Sequence, residues 1–165
     1  MRFAVALLLV LLAAPANARA EQVSAERLRE FMTLAPPAPP GWARSEKPYV
    51  SSNPRESIFA VTYSAMDGRE FRFGIVFSKE RADSQRLLVR NFAQHKAAGI
   101  EIVKIKGRDA MAATPDATLK GAVPVYSVVV SPTRIVAITD RSASIDREML
   151  RAMLESVDFD AVARK

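Results

Sequence analysis

The sequence predicts an α+β protein, a mainly antiparallel sheet of about five to six strands flanked by three helices. The stretch Ser57–Phe77 places two β-rich runs on either side of Asp67-Gly68, a pair suited to the positive φ angles of a tight hairpin turn. A second pair of runs, Val123–Val130 and Arg134–Thr139, surrounds Ser131-Pro132-Thr133 and is nearly all apolar, which places it in the middle of the sheet. Three stretches with helical spacing of apolar residues supply a cover for the sheet's greasy side.

In chain order, Ser24 is placed to cap a first helix to about Leu34, with Val23 and Leu28 bracketing the cap and Leu28, Phe31, Met32 and Ala35 on one side. Pro36-Pro37-Ala38-Pro39-Pro40 ends it, because proline fixes φ and lacks an amide donor. Gly41-Trp42 closes this rigid strap. Trp42 reads either as an anchor on the domain surface or as part of a partner-binding surface. Between Ala43 and Arg55 only Tyr49 and Val50 suggest a short edge strand.

In the first hairpin, Phe71, Phe73, Ile75 and Phe77 leave one side of their strand, and Phe59, Val61 and Tyr63 do the same from its partner. Asp83 or Ser84 is placed to cap a second helix running to about Ala98, with Leu88, Val89 and Phe92 as its apolar stripe and Gly99 at its left-handed end. Ile100–Lys106 reads as a strand, Gly107-Arg108-Asp109 as a turn, and Ala110–Gly121 as a loop or frayed strand broken by Thr114-Pro115-Asp116. Ser142 or Ser144 is placed to cap a last helix with Ile145, Met149, Leu150, Met153, Leu154 and Val157 on its apolar face. Val157-Asp158-Phe159 ends the domain, and the final Ala-Arg-Lys reads as a solvated tail.

Residues 1–20 have the layout of a cleavable secretory signal: Arg2, an apolar run from Phe3 to Ala14, Pro15, and Ala18-Arg19-Ala20 before the expected cut. The run is well short of the roughly 20 apolar residues that cross a bilayer, so no integral membrane segment is expected after cleavage. Residues 21–165 then form a single domain, with the N-terminal helix and strap at 24–42 and the core at 43–160. The expected location is the periplasm.

The Pro39-Pro40-Gly41-Trp42 strap, the Gly99-Ile100 entry to a middle strand, the closing Ser156-Val157-Asp158-Phe159 and the order of elements resemble the PsbP-like α/β/α sandwich. That fold is shared by the extrinsic PsbP subunit of photosystem II and a small Ran-binding nuclear import factor. The chain is similar in particular to small exported bacterial proteins of unassigned function with the same leader, strap and two hairpins. The resemblance spans about Pro36 to Phe159. It implies an accessory or binding module, and no catalytic set is carried over by it.

The absence of cysteine excludes disulfides, thiolate metal sites, a cysteine nucleophile and a lipid-modified N-terminal cysteine. The formal charge is +6, and loss of Arg2 and Arg19 leaves 22 basic against 18 acidic side chains, a balance of +4. That suits an anionic ligand or an acidic envelope protein, and no nucleic-acid signature accompanies it.

His95 is the single histidine and lacks the H-x-x-x-H or H-E-x-x-H spacing of a zinc site. No G-x-S-x-G marks a hydrolase nucleophile, and Ser131, Ser142 and Ser144 read as turn or cap residues. Asp140, Asp146, Asp158 and Asp160 lack calcium-loop spacing. No cofactor is expected.

The candidate binding residues are basic. Arg86 and Arg90 share a helix side, Lys104 and Lys106 share a strand face, and Trp42 is the aromatic added to them. The reading that follows is a non-enzymatic exported accessory module acting through protein contacts. The alternative is a carrier or sensor of an anionic lipid or small metabolite, and a hydrolase is a distant third.

Overall fold

The computed structural model describes residues 23–92, 99–113, 123–140 and 145–165. The leader, His95, the end assigned to the second helix at Ala98, the segment from Thr114 to Lys120, and Ser142 and Ser144 lie outside these residues.

Ser24 caps helix α1, Ala25–Arg29, as expected, its Oγ accepting from the Arg27 N–H at 3.3 Å. The helix then tightens into a 3-10 turn over Glu30–Leu34 before the proline strap. Strands β1, Trp42–Arg44, and β2, Tyr49–Ser52, follow, then β3, Ser57–Ala65, and β4, Glu70–Phe77. Helix α2 spans Lys79–Asn91. Strands β5, Ile100–Ile105, β6, Arg108–Ala113, β7, Val123–Ser131, and β8, Arg134–Asp140, complete the sheet. Helices α3, Arg147–Ser156, and α4, Phe159–Arg164, end the chain.

The described residues form one eight-stranded antiparallel sheet in the order β1-β3-β4-β8-β7-β6-β5, with β2 also on β3. The expected class and antiparallel character hold, and the second hairpin does lie in the middle. The strand count of five to six is corrected to eight. Trp42–Arg44 is too short to read from pattern and forms only against Tyr63–Ala65. Strand β6 carries the weak β-formers Ala110, Ala112 and Ala113, yet it sits between β5 and β7, where ladder bonds outweigh propensity.

Three helices are likewise corrected to four among the described residues. The expected tail is α4: Asp158 caps it at the Ala161 N–H, and Phe159 and Val162 are buried. Ser78, not Asp83 or Ser84, caps α2 by accepting from the Arg81 N–H at 3.3 Å. Asp146 caps α3. At the first hairpin only Gly68 has positive φ, 85°, so the link is not a turn with two left-handed residues. That geometry occurs instead at Lys106-Gly107, φ 48° and 75°, between β5 and β6.

One face of the sheet holds the core. Phe59, Val61, Tyr63, Phe71, Phe73, Ile75 and Phe77 are fully buried there, joined by Val128, Val136 and Ile138. Phe31 of the 3-10 turn stacks edge-on against Phe77 at 5.2 Å and lies 6.3 Å from Phe59, and with Leu28 of α1 buried in the same core the N-terminal helix sits on this face. The Arg147 guanidinium of α3 lies over the Tyr126 ring, and Arg134 donates from the sheet to the Val162 carbonyl of α4 at 2.7 Å. The first and the last described helices therefore close the same side.

Candidate basic groove beside helix α2

The other face is covered differently. Helix α2 lies against β6, β7 and β8 and buries Ala82 and Gln85, whose amide donates to the Ser127 carbonyl at 2.9 Å. The apolar stripe expected at Leu88, Val89 and Phe92 is only half-buried, because these residues sit beyond the closest approach of helix and sheet. Between the second half of α2 and strands β5 to β7 lies an open groove of about 870 Å³. Val89, Phe92, Ile102 and Val129 supply its apolar lining, and Arg86 and Arg90 stand along the helix side.

These two arginines are brought together as the four-residue spacing predicts, and they differ in state. Arg86 donates to Asp83 at 2.7 Å and to the Ser131 carbonyl at 2.6 Å, so it ties α2 to the β7–β8 turn. Asp83 also pairs with Lys79, and the hydrogen bond from that ammonium, with Arg86 adding to it, holds the carboxyl below its ordinary range. Arg90 is exposed and has no ion pair or side-chain hydrogen bond among the described residues.

Lys104 lies on the same sheet face as the groove, but it is paired with Asp109 at 2.7 Å across the β5–β6 register. Asp109 itself borders the groove. Lys106 is not on the strand with Lys104 as expected. It is the first residue of the tight turn, and its ammonium donates to the Val157 carbonyl at 2.9 Å and lies over Phe159. The left-handed backbone at Lys106 breaks the alternation on which the shared-face reading relied.

Trp42 is elsewhere. It packs edge-on against Phe71 at 4.9 Å under the Arg69 guanidinium, in β1 at the far edge of the sheet. Five strand steps of roughly 4.8 Å separate β1 from β6, so Trp42 stands about 24 Å from the groove. The strap ahead of it is anchored by the Tyr63 hydroxyl, which donates to the Pro36 carbonyl at 2.6 Å, and by Arg44, which donates to the Ala35 carbonyl at 3.2 Å.

Arg108, expected in a turn, is instead the first residue of β6 and borders the groove at its turn end. Its guanidinium is committed to Asp160 of α4 at 2.8 Å, so it adds little free charge to the groove. No group of three or more metal-ligating side chains occurs among the described residues, and none of their helices is long and apolar enough to cross a membrane. Compared with protein-family models, curated proteins and solved structures, the chain has no match.

Proposed function

We propose that the mature chain is a non-enzymatic periplasmic binding module whose contact surface is the groove beside α2, taking an acidic segment of an envelope protein. The carrying observation is the pairing of an apolar lining, Val89, Phe92, Ile102 and Val129, with Arg90, a cation that makes no described contact. An exposed guanidinium beside an apolar patch recognises a carboxylate flanked by apolar side chains. Helices against both faces of an antiparallel sheet also support reading the fold as a PsbP-like sandwich, whose members act largely as accessory modules.

A second reading is a carrier or sensor of an anionic lipid or small metabolite. The groove's size favours it, since cavities of several hundred Å³ hold ligands of that class. A photo-reactive residue placed at Leu87, which is 59% exposed on the same helix, separates the two. In the native cell, a discrete protein adduct that disappears on Arg90→Glu supports the protein partner. Native mass spectrometry showing instead a bound acidic small molecule, lost in the same variant, supports the carrier. If neither adduct nor ligand depends on Arg90, the groove is a solvated face.

A further inference from the structure

The half of the sheet that α2 leaves uncovered carries a second arginine of a different kind. Arg72 lies in the middle of β4, directly opposite Thr62 of β3 and Thr139 of β8. Directly opposed residues of antiparallel strands share a face, with Cβ atoms about 4.5–5.5 Å apart, so the three side chains stand in one row. Arg72 is half-buried, and its Nε is sealed from solvent without a hydrogen-bond acceptor. It has no ion pair among the described residues, and neither threonine hydroxyl holds a hydrogen bond there. Glu70 shares this face two residues earlier, and its Oε1 accepts from Ser64 Oγ at 3.3 Å.

A guanidinium whose Nε is held dry without an acceptor carries a desolvation cost, which an anion on its terminal nitrogens offsets. The adjacent row, Ala60, Gly74 and Ala137, carries nothing larger than a methyl group; Ala60 and Ala137 are buried and Gly74 is half-exposed. Tyr49, opposite Ala60 on β2, continues this row with an aromatic ring that is 54% exposed. On the opposite side of the helix from Arg90, Arg81 pairs with Glu56 at 2.9 Å, so α2 walls this region off from the groove.

We infer that Arg72, with Thr62 and Thr139, forms a second binding site, for the carboxylate of a small apolar organic acid. The guanidinium grips the carboxylate through its two terminal nitrogens, outside the sealed Nε, the hydroxyls donate from either side, and the hydrocarbon body lies over the half-exposed Gly74 toward Tyr49. The site is independent of the groove and of the partner read there.

The test is a titration of the labelled protein with benzoate and, separately, inorganic phosphate, following the Arg72 Nε–H signal and the Thr62 and Thr139 amides by NMR. Saturable shifts with benzoate are expected, weakened about tenfold or more in Arg72→Gln, since hydrogen bonds to a charged group are lost. The melting temperature of ligand-free Arg72→Gln is expected to be no lower than that of the parent, because no described hydrogen bond or ion pair is removed. Arg72→Lys, which keeps the charge without the planar fork, is expected to bind more weakly than the parent while folding normally. Absence of saturation with benzoate, saturation with phosphate alone, or an unchanged response in both variants would overturn the site and leave a hydrated arginine.

Discussion

The two faces of this sheet are made by the same strands and differ in what comes to cover them. The inner face of β3 and β4 presents seven large side chains with no exposure, and three of the described helices, α1, α3 and α4, seal it. The outer face of the same strands presents Ile58, Thr62, Arg72, Gly74 and Val76, all partly exposed, with Ala60 buried among them, and among the described helices only α2 crosses the other half of it. Burial is concentrated where the first and last described helices gather, and groups able to bind are left where one helix is too narrow to cover the sheet.

The sharpest way to break this contrast is a matched pair of truncations on neighbouring strands. Phe73→Ala, at a fully buried inner position, is expected to cost about 3–5 kcal/mol in denaturant unfolding. Thr62→Ala on the outer face is expected to stay within about 0.5 kcal/mol. Equal losses would show that the outer face is covered as thoroughly as the inner one.

A smaller effect concerns the strap. Burial pushes the Tyr63 phenol up to about 12, against about 10 when unfolded. The folded phenol keeps its proton where the unfolded one has lost it. Its contribution is therefore complete below pH 10 and is lost as pH rises toward 12. Tyr63→Phe is expected to flatten that alkaline limb while losing about 1 kcal/mol at neutral pH through the bond to Pro36. An unchanged alkaline limb would mean that another group sets it.

Ser78→Ala removes the α2 cap and is expected to cost about 1 kcal/mol. At the acid end, the backbone N–H of Ala161 holds the Asp158 carboxyl below its usual range. The stability it lends α4 is present above the ordinary aspartate range and fades as pH falls through the depressed value. Asp158→Asn, which keeps the cap without the titration, should reduce the acid sensitivity measured by circular dichroism. The smallest effect belongs to Arg90→Glu, expected to leave stability within about 0.5 kcal/mol while changing what the groove binds.

Much of the architecture was legible because alternation and helical spacing report which side of an element is buried. Phe71 through Phe77, the Ser24 cap and the central β7–β8 pair needed nothing beyond local pattern. The missed elements share a cause. Strand β1 has three residues and β6 is rich in alanine, so each exists through its neighbours, and the terminal α4 is visible only as the Asp158 cap followed by Phe159 and Val162. The basic set divided in the same manner. Arg86 and Arg90 were paired by helix spacing alone, whereas Lys104 and Lys106 were separated by a turn whose left-handed lysine no pattern announces.

The order of residues by itself determined that apolar strands would alternate about a sheet and that one-sided helices would cover it, because those preferences act within a few neighbouring positions. Only the tertiary structure decided that, of the described helices, three gather on one face and one on the other. It also decided that Lys104 meets Asp109 and that Arg72 stands between two threonines with a nitrogen left unsatisfied. Such pairings join residues distant along the chain, and their energies depend on register, burial and distance, which take values only once the strands lie side by side.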